Sequence, residues 1–436
     1  MKFQAKVGRH EHAGVMYLTY KGAQLGYRLG MVKAPKTQEP QRRIGKSGLF
    51  TFSEAARLSL LSPRCAFATA YGKISGRTPS YPRFIILYLT NRCNFACPMC
   101  ANADSRQPEL SAGAADMEFR LISDVIQQSR RYGPIIHLFG GEPLLYKSVH
   151  EVISLVRRNH MIPFLTTNGL LLQQQAAKLA TGGLAVLHVS LDGWDDESQT
   201  KRGNVRGSFD RIVAGVREVA RCRPGKFPIL RVSTVVTKHN YHSLDKIQTV
   251  VAKLGVKEWS IANYFFAVPG VADAHDEFRQ KTGIGEALPL HVLNDGHYLS
   301  SEQVSDLQGS LARVRAKNGQ YGMRIDYNWS TDLQAYYASA RNPSSDSRCD
   351  FPYSRIDIQP SGRMSLCAGG HTIGNLNSTT IRSAWSGEDA NHLRDLHRAH
   401  RVFPMCFRCC GIKDTISFAE CEKPVREGQV EPEKAA

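Results

Sequence analysis

The residues best suited to chemistry are three cysteines in the segment TNRCNFACPMCAN, namely Cys93, Cys97 and Cys100. Their C-x3-C-x2-C spacing lets one short loop bring three thiolates to three corners of an iron–sulfur cube, which leaves the fourth iron without a protein ligand. An iron with open coordination can bind a small molecule, and a thiolate-held cluster can reach a potential low enough for reductive chemistry. The inert alternatives are a zinc loop that lacks its last ligand and three buried structural thiols.

Three further short motifs follow, each at the end of a strand-like segment. They are GGEP at 140–143, TTNG at 166–169 and SLDG at 190–193. The glycines of the first motif let backbone approach a ligand closely, and Glu142 can accept a hydrogen bond from an ammonium group. Ser190, at a strand end, can bond a sugar hydroxyl. Each motif alone is typical of a turn or a strand-end cap, so only their combination carries weight.

With the cysteine loop, these motifs make residues 83–266 resemble the radical S-adenosylmethionine (radical SAM) superfamily. Its signature is C-x3-C-x-Φ-C with Φ usually aromatic, and Met99 takes that place, where it can pack beside an adenine. The resemblance implies that the open iron chelates the amino and carboxylate groups of S-adenosylmethionine. The implied cofactor-binding residues are Met99, Gly140, Gly141, Glu142, Thr167, Asn168, Ser190 and Asp192.

A second group of cysteines lies near the C-terminus. Cys349 and Cys367 are separated by seventeen residues, and Cys406, Cys409 and Cys410 follow in PMCFRCC. Four thiolates can close a tetrahedral zinc site or hold a cubane cluster. Spacing alone does not distinguish a zinc site from an iron–sulfur cluster.

The segment CDFPYSRIDIQPSGRMSLCAGGHTIGNL, followed by SAWSGED and PMCFRC, resembles the C-terminal extension called SPASM in its shortened twitch form. Four protein ligands would leave no position for a substrate, and the resemblance implies that such a cluster transfers electrons or rigidifies its lobe. Cys410 is the less favoured alternative to Cys409 as the fourth ligand. The resemblance implies an auxiliary 4Fe–4S cluster held by Cys349, Cys367, Cys406 and Cys409.

The elements that must position these residues are predicted from hydrophobic pattern. From residue 83, short β-rich segments alternate with helical ones, which predicts a parallel sheet that right-handed crossovers curl toward a barrel. Ligands bind at the carboxyl ends of strands in such folds, which is where the motifs fall. The six predicted strands are RFIILYLT, IIHLFG, IPFLTTN, LAVLHVSLDG, ILRVSTVVT and WSIANYFF.

We therefore expect an α/β fold: a partial (β/α)6 TIM-like barrel with a C-terminal twitch/SPASM iron–sulfur lobe and a small basic N-terminal region. Gly133 and Gly255 are predicted as helix stops, and Ser208 and Ser243 as N-caps. In a predicted insert at residues 267–345, Trp329, Tyr336 and Tyr337 either wrap a bulky ligand or pack internally. The predicted divisions are 1–82, the basic region; 83–266, the barrel; 267–345, an insert or lid; 346–425, the auxiliary-cluster domain; and 426–436, a polar tail.

Composition narrows the class of protein. The 436 residues are 42% hydrophobic and 22% charged, which suits a chain with a substantial core. The sequence shows no apolar run of membrane length and no secretion signal, which predicts a cytoplasmic protein. In that compartment, eleven cysteines favour metal ligation over disulfides.

The positive charge is concentrated near the start of the chain. Of the net charge of +17, residues 1–83 carry +12, from fifteen Lys or Arg against three Glu. This predicts an anionic partner or a solvated basic face.

The resemblance implies a radical SAM oxidoreductase or maturase. A flavodoxin or ferredoxin would reduce the first cluster, S-adenosylmethionine would be cleaved to a 5′-deoxyadenosyl radical, and the radical would abstract hydrogen from a peptide or small metabolite. The auxiliary cluster would assist electron transfer. The sequence identifies no catalytic residue. The alternatives are a radical SAM enzyme acting on nucleic acid or lipid, with nucleic acid supported only by basicity, and a non-catalytic iron–sulfur protein.

Overall fold

The computed structural model describes two compact units, Met1–Lys46 and Ser47–Ala436. In the first unit, the described residues form an antiparallel hairpin of β1 (Leu18–Tyr20) and β2 (Ala23–Leu25). Both cysteine groups belong to the second unit. The described residues are 18–20, 23–25, 58–64, 78–100, 115–267, 269–286, 299–327, 331–338, 349–367, 370–400, 402–406 and 408–409.

Six consecutive parallel strands form the centre of the second unit. Each pairs with the next one along the chain, which is the strand order of a barrel built from successive strand–helix units. They coincide with the six predicted strands, and the sheet stays open, so the predicted partial barrel is confirmed. The strands are β3 (Phe84–Thr90), β4 (Ile135–Gly140), β5 (Ile162–Thr167), β6 (Val186–Ser190), β7 (Ile229–Val236) and β8 (Glu258–Asn263).

Amphipathic helices connect these strands, and each buries one apolar face. The predicted stops Gly133 and Gly255 have φ of +64° and +69°, a conformation that glycine adopts at little cost. Ser243 is an N-cap as predicted, whereas the N-cap before Ser208 is Gly207, so that prediction was wrong by one residue. The helices are α1 (Phe119–Ser129), α2 (Val149–Arg158), α3 (Leu172–Thr181), α4 (Asp196–Gly203), α5 (Ser208–Cys222) and α6 (Leu244–Lys253).

The insert extends the sheet. It contributes α7 (Pro269–Thr282), α8 (Ser301–Tyr321), β9 (Arg324–Asp326) and α9 (Leu333–Ala338), and β9 pairs in parallel with β8. Tyr337 in α9 is fully buried, so this aromatic residue packs internally; Trp329 lies outside the described residues.

The C-terminal segment continues the same sheet from its opposite edge. It forms β10 (Arg355–Ile358), β11 (Arg363–Leu366), β12 (His371–Asn375), α10 (Ile381–Ser386) and α11 (Glu388–His400). β10 pairs in parallel with β3, and β11 and β12 add antiparallel strands. The first cysteine loop therefore follows a strand whose neighbour belongs to the second cysteine region.

A second apolar cluster lies near the amino ends of the strands. Leu58, in a short helical segment, packs there with buried side chains that include Ile135, Ile162 and Phe164. The three motifs lie at the opposite, carboxyl ends, where folds of this kind bind ligands. In the part of the chain that the structure describes, no helix is long and apolar enough to cross a membrane.

Candidate functional site

The first three cysteines lie on the loop after β3. Cys97 is buried, Cys100 is partly buried and Cys93 is exposed. The backbone N–H of Phe95 donates to Cys93 Sγ at 3.4 Å, and Asn168 Nδ2 lies 3.8 Å from the same sulfur. Burial raises the pKa of Cys93, and raises the pKa of Cys97 to about 12. Both are therefore neutral thiols at pH 7 unless a metal displaces the proton.

The end of α4 holds this loop in place. The Ala96 N–H donates to the Gly203 carbonyl at 3.1 Å. A methyl group at Gly203 would lie 2.4 Å from the Phe95 ring, so only glycine permits this approach. Arg202, the preceding residue, lies over the same ring with its guanidinium carbon 5.5 Å from the centroid.

Arg202 also forms a buried ion pair with Asp192, their side chains being 14% and 4% exposed. Asp192 Oδ1 accepts from the Val235 N–H at 2.7 Å. Burial raises the pKa of Asp192, while the Arg202 guanidinium opposes that rise. Burial lowers the pKa of Arg202, but the charge of Asp192, joined by that of the cysteines when they are ionised, raises it by more, so the guanidinium stays charged. The sequence analysis missed Arg202; its signal was an Arg before the glycine that ends the helix after SLDG.

The two glycines of GGEP allow the ends of β3 and β4 to meet. Gly140 has a φ of +132°, and a Cβ atom there would lie 2.4 Å from the Thr90 carbonyl oxygen. A Cβ atom at Gly141 would lie 2.2 Å from the Arg92 carbonyl oxygen. Close approach of backbone to backbone is thus one reason for glycine here; the predicted approach to a cofactor stays a prediction.

Glu142 is buried and locks the end of β5 to this turn. Its Oε1 accepts from the Leu144 N–H at 3.0 Å and from Thr167 Oγ1 at 2.7 Å, and its Oε2 accepts from the Asn168 N–H at 2.7 Å. Burial raises the pKa of Glu142, and these three donors oppose the rise. A carboxylate offers about four lone-pair sites, so one acceptor position remains on Oε2 for the predicted ammonium group.

Asn168 connects the end of β5 to the cysteine loop. Its Nδ2 donates to Asn94 Oδ1 at 2.7 Å, and its Oδ1 accepts from the Leu170 N–H at 3.0 Å. The structure thus brings the cysteine loop, GGEP and TTNG together at one edge of the sheet. Ser190 lies at the carboxyl end of β6 opposite Ser233, and Met99 is partly buried against the core. Their cofactor contacts stay predictions.

Three cysteines of the second group share one apolar cavity. Cys349, Cys367 and Cys406 line it with side chains that include Leu366 and Leu393. Burial raises the pKa of Cys349 to about 12 and raises the pKa of Cys406 further. Thiols that converge on one cavity fit the donor set of a thiolate-held cluster.

Cys409 follows Cys406 in a tight turn. Its N–H donates to the Cys406 carbonyl at 3.0 Å, and Arg408 between them has a φ of +58°. Cys410 lies outside the described residues. Within the described ranges, no three His, Cys, Asp or Glu side chains form a ready-made site for a single metal ion. The ligand assignments at both centres therefore stay predictions.

The insert joins the end of β8 to this turn. Tyr336 Oη lies 2.9 Å from the carbonyl oxygens of both Tyr264 and Arg408. Arg408 Nε donates to the Tyr336 carbonyl at 2.7 Å, and its guanidinium lies 4.2 Å from the centroid of the Phe266 ring. The cysteine turn is therefore fixed to the barrel.

Comparison with known families matches two segments of the chain. Residues 87–250 match the radical SAM superfamily, and residues 349–410 match SPASM, an iron–sulfur cluster-binding domain. The chain belongs to the radical SAM superfamily. It is a radical SAM enzyme with a SPASM domain, and S-adenosylmethionine and 4Fe–4S clusters are its cofactors.

Two curated relatives match most of this radical SAM chain. The AdoMet-dependent heme synthase of Methanosarcina barkeri is 26% identical over 335 residues, which cover 75% of this chain and 88% of that protein. The PqqA peptide cyclase of Gluconobacter oxydans is 24% identical over 345 residues, 77% of this chain and 84% of the cyclase.

Two solved structures share the fold. Streptococcus suis SuiB bound to precursor peptide SuiA has a TM-score of 0.51 at 16% identity, covering 74% of this chain and 68% of SuiB. The enzyme anSMEcpe with bound AdoMet and Kp18Cys peptide has a TM-score of 0.51 at 14% identity, covering 75% of this chain and 88% of that enzyme.

Proposed function

We propose that this radical SAM enzyme is a maturase that modifies a peptide. The observation that carries the proposal is the similarity to the PqqA peptide cyclase, which extends over 77% of this chain and 84% of the cyclase. The fold is also shared with SuiB and anSMEcpe, each of which has been solved with a peptide bound.

The proposal gives defined tasks to residues of the first site. When bound, S-adenosylmethionine and the reduced cluster supply a 5′-deoxyadenosyl radical that abstracts hydrogen from the substrate. Cys93, Cys97 and Cys100 would hold the cluster, and the remaining acceptor position of Glu142 would bind the cofactor's ammonium group. The Arg202 guanidinium places a fixed positive charge beside the thiolates, which favours their ionised form.

The second site and the partners complete the proposal. Cys349, Cys367, Cys406 and Cys409 would hold the auxiliary cluster, which would serve as the electron acceptor if the substrate radical is oxidised. We also propose a flavodoxin or ferredoxin as reductant and a cytoplasmic location, because most of the eleven cysteines lie in clusters or at metal-type spacing, which suits a reducing compartment.

A porphyrin-type substrate is the second candidate. It is favoured by the similarity to the heme synthase of Methanosarcina barkeri, which covers 88% of that protein. Both candidates begin with the same cleavage of S-adenosylmethionine, so only the source of the abstracted hydrogen distinguishes them.

Deuterium transfer tests the proposal. Peptides encoded next to the gene for this chain would be synthesised with deuterated side chains and incubated with reconstituted, dithionite-reduced enzyme and S-adenosylmethionine. We expect deuterium in 5′-deoxyadenosine and a matching mass change in one peptide, with no product from a Cys97→Ala control. Transfer from a deuterated porphyrin carboxylate and from none of the peptides would replace the peptide proposal by the second candidate.

A further inference from the structure

His397 occupies an unusual position in the wall of the second cysteine cavity. It lies on α11, is 8% exposed and lines the cavity with Cys349, Cys367 and Cys406. Its Nε2 atom is buried and has no hydrogen-bond partner among the residues that the structure describes. A buried polar atom left without a partner is destabilising, so this nitrogen is suited to bond a group held in the cavity.

The imidazole ring is held by the two segments that carry the thiols. The Tyr353 ring lies edge-on with its centroid 5.4 Å away, and the Phe403 ring lies edge-on at 5.8 Å. Tyr353 follows Cys349 in the same short segment, and the Phe403 N–H donates to Cys406 Sγ at 3.3 Å. The ring and the thiols are therefore positioned by the same backbone.

The hydrogen bonds around Tyr353 indicate which ring nitrogen carries the proton. The Tyr353 hydroxyl lies 3.1 Å from His397 Nδ1 and 3.3 Å from the Arg394 carbonyl oxygen. The contact with Nδ1 is the shorter of the two, and a neutral imidazole carries a single ring proton. With the hydroxyl proton directed at Nδ1, the ring proton lies on Nε2 at the cavity, and this is the tautomer that the proposal requires.

A cluster in this cavity would need such a donor. The walls are largely apolar, formed by residues such as Ile284, Leu366 and Leu393, with His371 as the other imidazole. A thiolate-held 4Fe–4S cluster is anionic and gains a further negative charge on reduction, and burying that charge is costly without hydrogen bonds. Hydrogen bonds to sulfur are among the factors that set the potential of such clusters.

We propose that His397 donates a hydrogen bond from Nε2–H to a sulfur of the auxiliary cluster and thereby raises its reduction potential. The proposal rests on the auxiliary cluster assigned under the proposed function. His397 is a positioning and tuning residue here, outside the four cysteine ligands.

The potential is measured in the full-length chain with Cys93, Cys97 and Cys100 changed to Ala, so that only the auxiliary cluster is observed. We expect His397→Phe to lower the midpoint potential of the auxiliary cluster, which is measured by EPR of the reduced cluster. Iron should stay at about four per chain. His397→Gln keeps an N–H donor and should recover part of the shift. The matched control is His400→Phe, the same change at an exposed position of α11, which should leave the potential unchanged.

An unchanged potential in His397→Phe would overturn the proposal. Should that variant fail to fold, pulsed EPR of the parent protein labelled with 15N-histidine still decides. In a His371→Gln background, which removes the other imidazole of the cavity, we expect a weak nitrogen coupling to the reduced cluster that is lost when His397→Gln is added. Coupling that persists after that change, no coupling at all, or the strong coupling of a coordinated imidazole would each refute the hydrogen bond. A parent protein without iron would instead refute the auxiliary cluster itself.

Discussion

Arg202 is a buried charge whose loss we expect to be costly. In Arg202→Leu, Asp192 would remain as a buried carboxylate without its cation, and removing one partner of a buried pair costs about 3–5 kcal/mol. We expect the urea midpoint of the iron-free protein to fall accordingly. Iron retention should fall too, because Arg202 lies over the Phe95 ring of the cysteine loop.

The neighbouring Lys201 is the matched control. It pairs with Glu197 at 2.9 Å on the same helix, but the two side chains are 49% and 82% exposed. Exposed pairs contribute about 0–1 kcal/mol, so Lys201→Leu should change the midpoint little. An equal fall of the urea midpoint in the two variants would show that the buried Arg202–Asp192 ion pair does not account for the loss of stability.

Spacing along the chain predicted individual functional residues, but it did not predict the contacts that these residues make with other elements. Glu142 was identified from GGEP, yet its bonds to Thr167 and Asn168 come from another strand end and have no local signal. Arg202 and His397 were missed for the same reason, since their partners lie on other elements. A sequence motif indicates which side chains can act, whereas burial and pairing emerge only when the strands are assembled.

Gly215 marks the closest approach of α3 and α5. A Cβ atom there would lie 2.5 Å from Leu172 Cβ and 3.0 Å from the Gln173 backbone nitrogen. We expect Gly215→Ala to destabilise the protein by about 1–3 kcal/mol, the usual cost of overpacking. The measurement is the midpoint of urea unfolding, monitored by circular dichroism, which should be lower in the variant.

The matched control is Gly319→Ala in α8. A Cβ atom at Gly319 would meet nothing within 4 Å, so alanine should stabilise the helix by about 0.5–1 kcal/mol. The two substitutions are chemically identical and should shift the midpoint in opposite directions. A stabilising Gly215→Ala would mean that α3 and α5 separate without cost.

Long apolar segments explain why the six central strands were predicted. β7, for example, reads ILRVSTVV and is buried along most of its length. β9 has only three residues, RID, and forms because β8 offers an unpaired edge. The pairing of β10 with β3 joins residues more than 250 positions apart, a contact that a local pattern does not encode.

The predicted domain division treats barrel and auxiliary lobe as successive segments, yet one sheet runs through both. The strand order places β10 beside β3, so the loop with Cys93 and the hairpin between Cys349 and Cys367 leave neighbouring strands. Tyr336 adds a second connection, from the end of β8 to the Cys406–Cys409 turn. This continuity supports the proposal that the auxiliary cluster exchanges electrons with a substrate in the barrel.

Metal content tests that two-cluster arrangement across the entire chain. Two 4Fe–4S clusters predict about eight iron per chain after anaerobic reconstitution. We expect about four iron in a Cys93/Cys97/Cys100→Ala variant and about four in a Cys349/Cys367→Ala variant. Cys222→Ala is the control, because Cys222 lies on α5 and bonds Glu218 at 3.4 Å, so it should keep about eight.

The two cysteine variants separate the roles of the sites. The Cys349/Cys367→Ala protein retains the whole first loop, so it should still form some 5′-deoxyadenosine from S-adenosylmethionine, whereas the Cys93/Cys97/Cys100→Ala protein should form none. About four iron plus one zinc in the unaltered chain would make the second site a structural zinc lobe, because four thiolates suit zinc equally. Electron transfer through that lobe would then be refuted, while radical chemistry at the first site would stand.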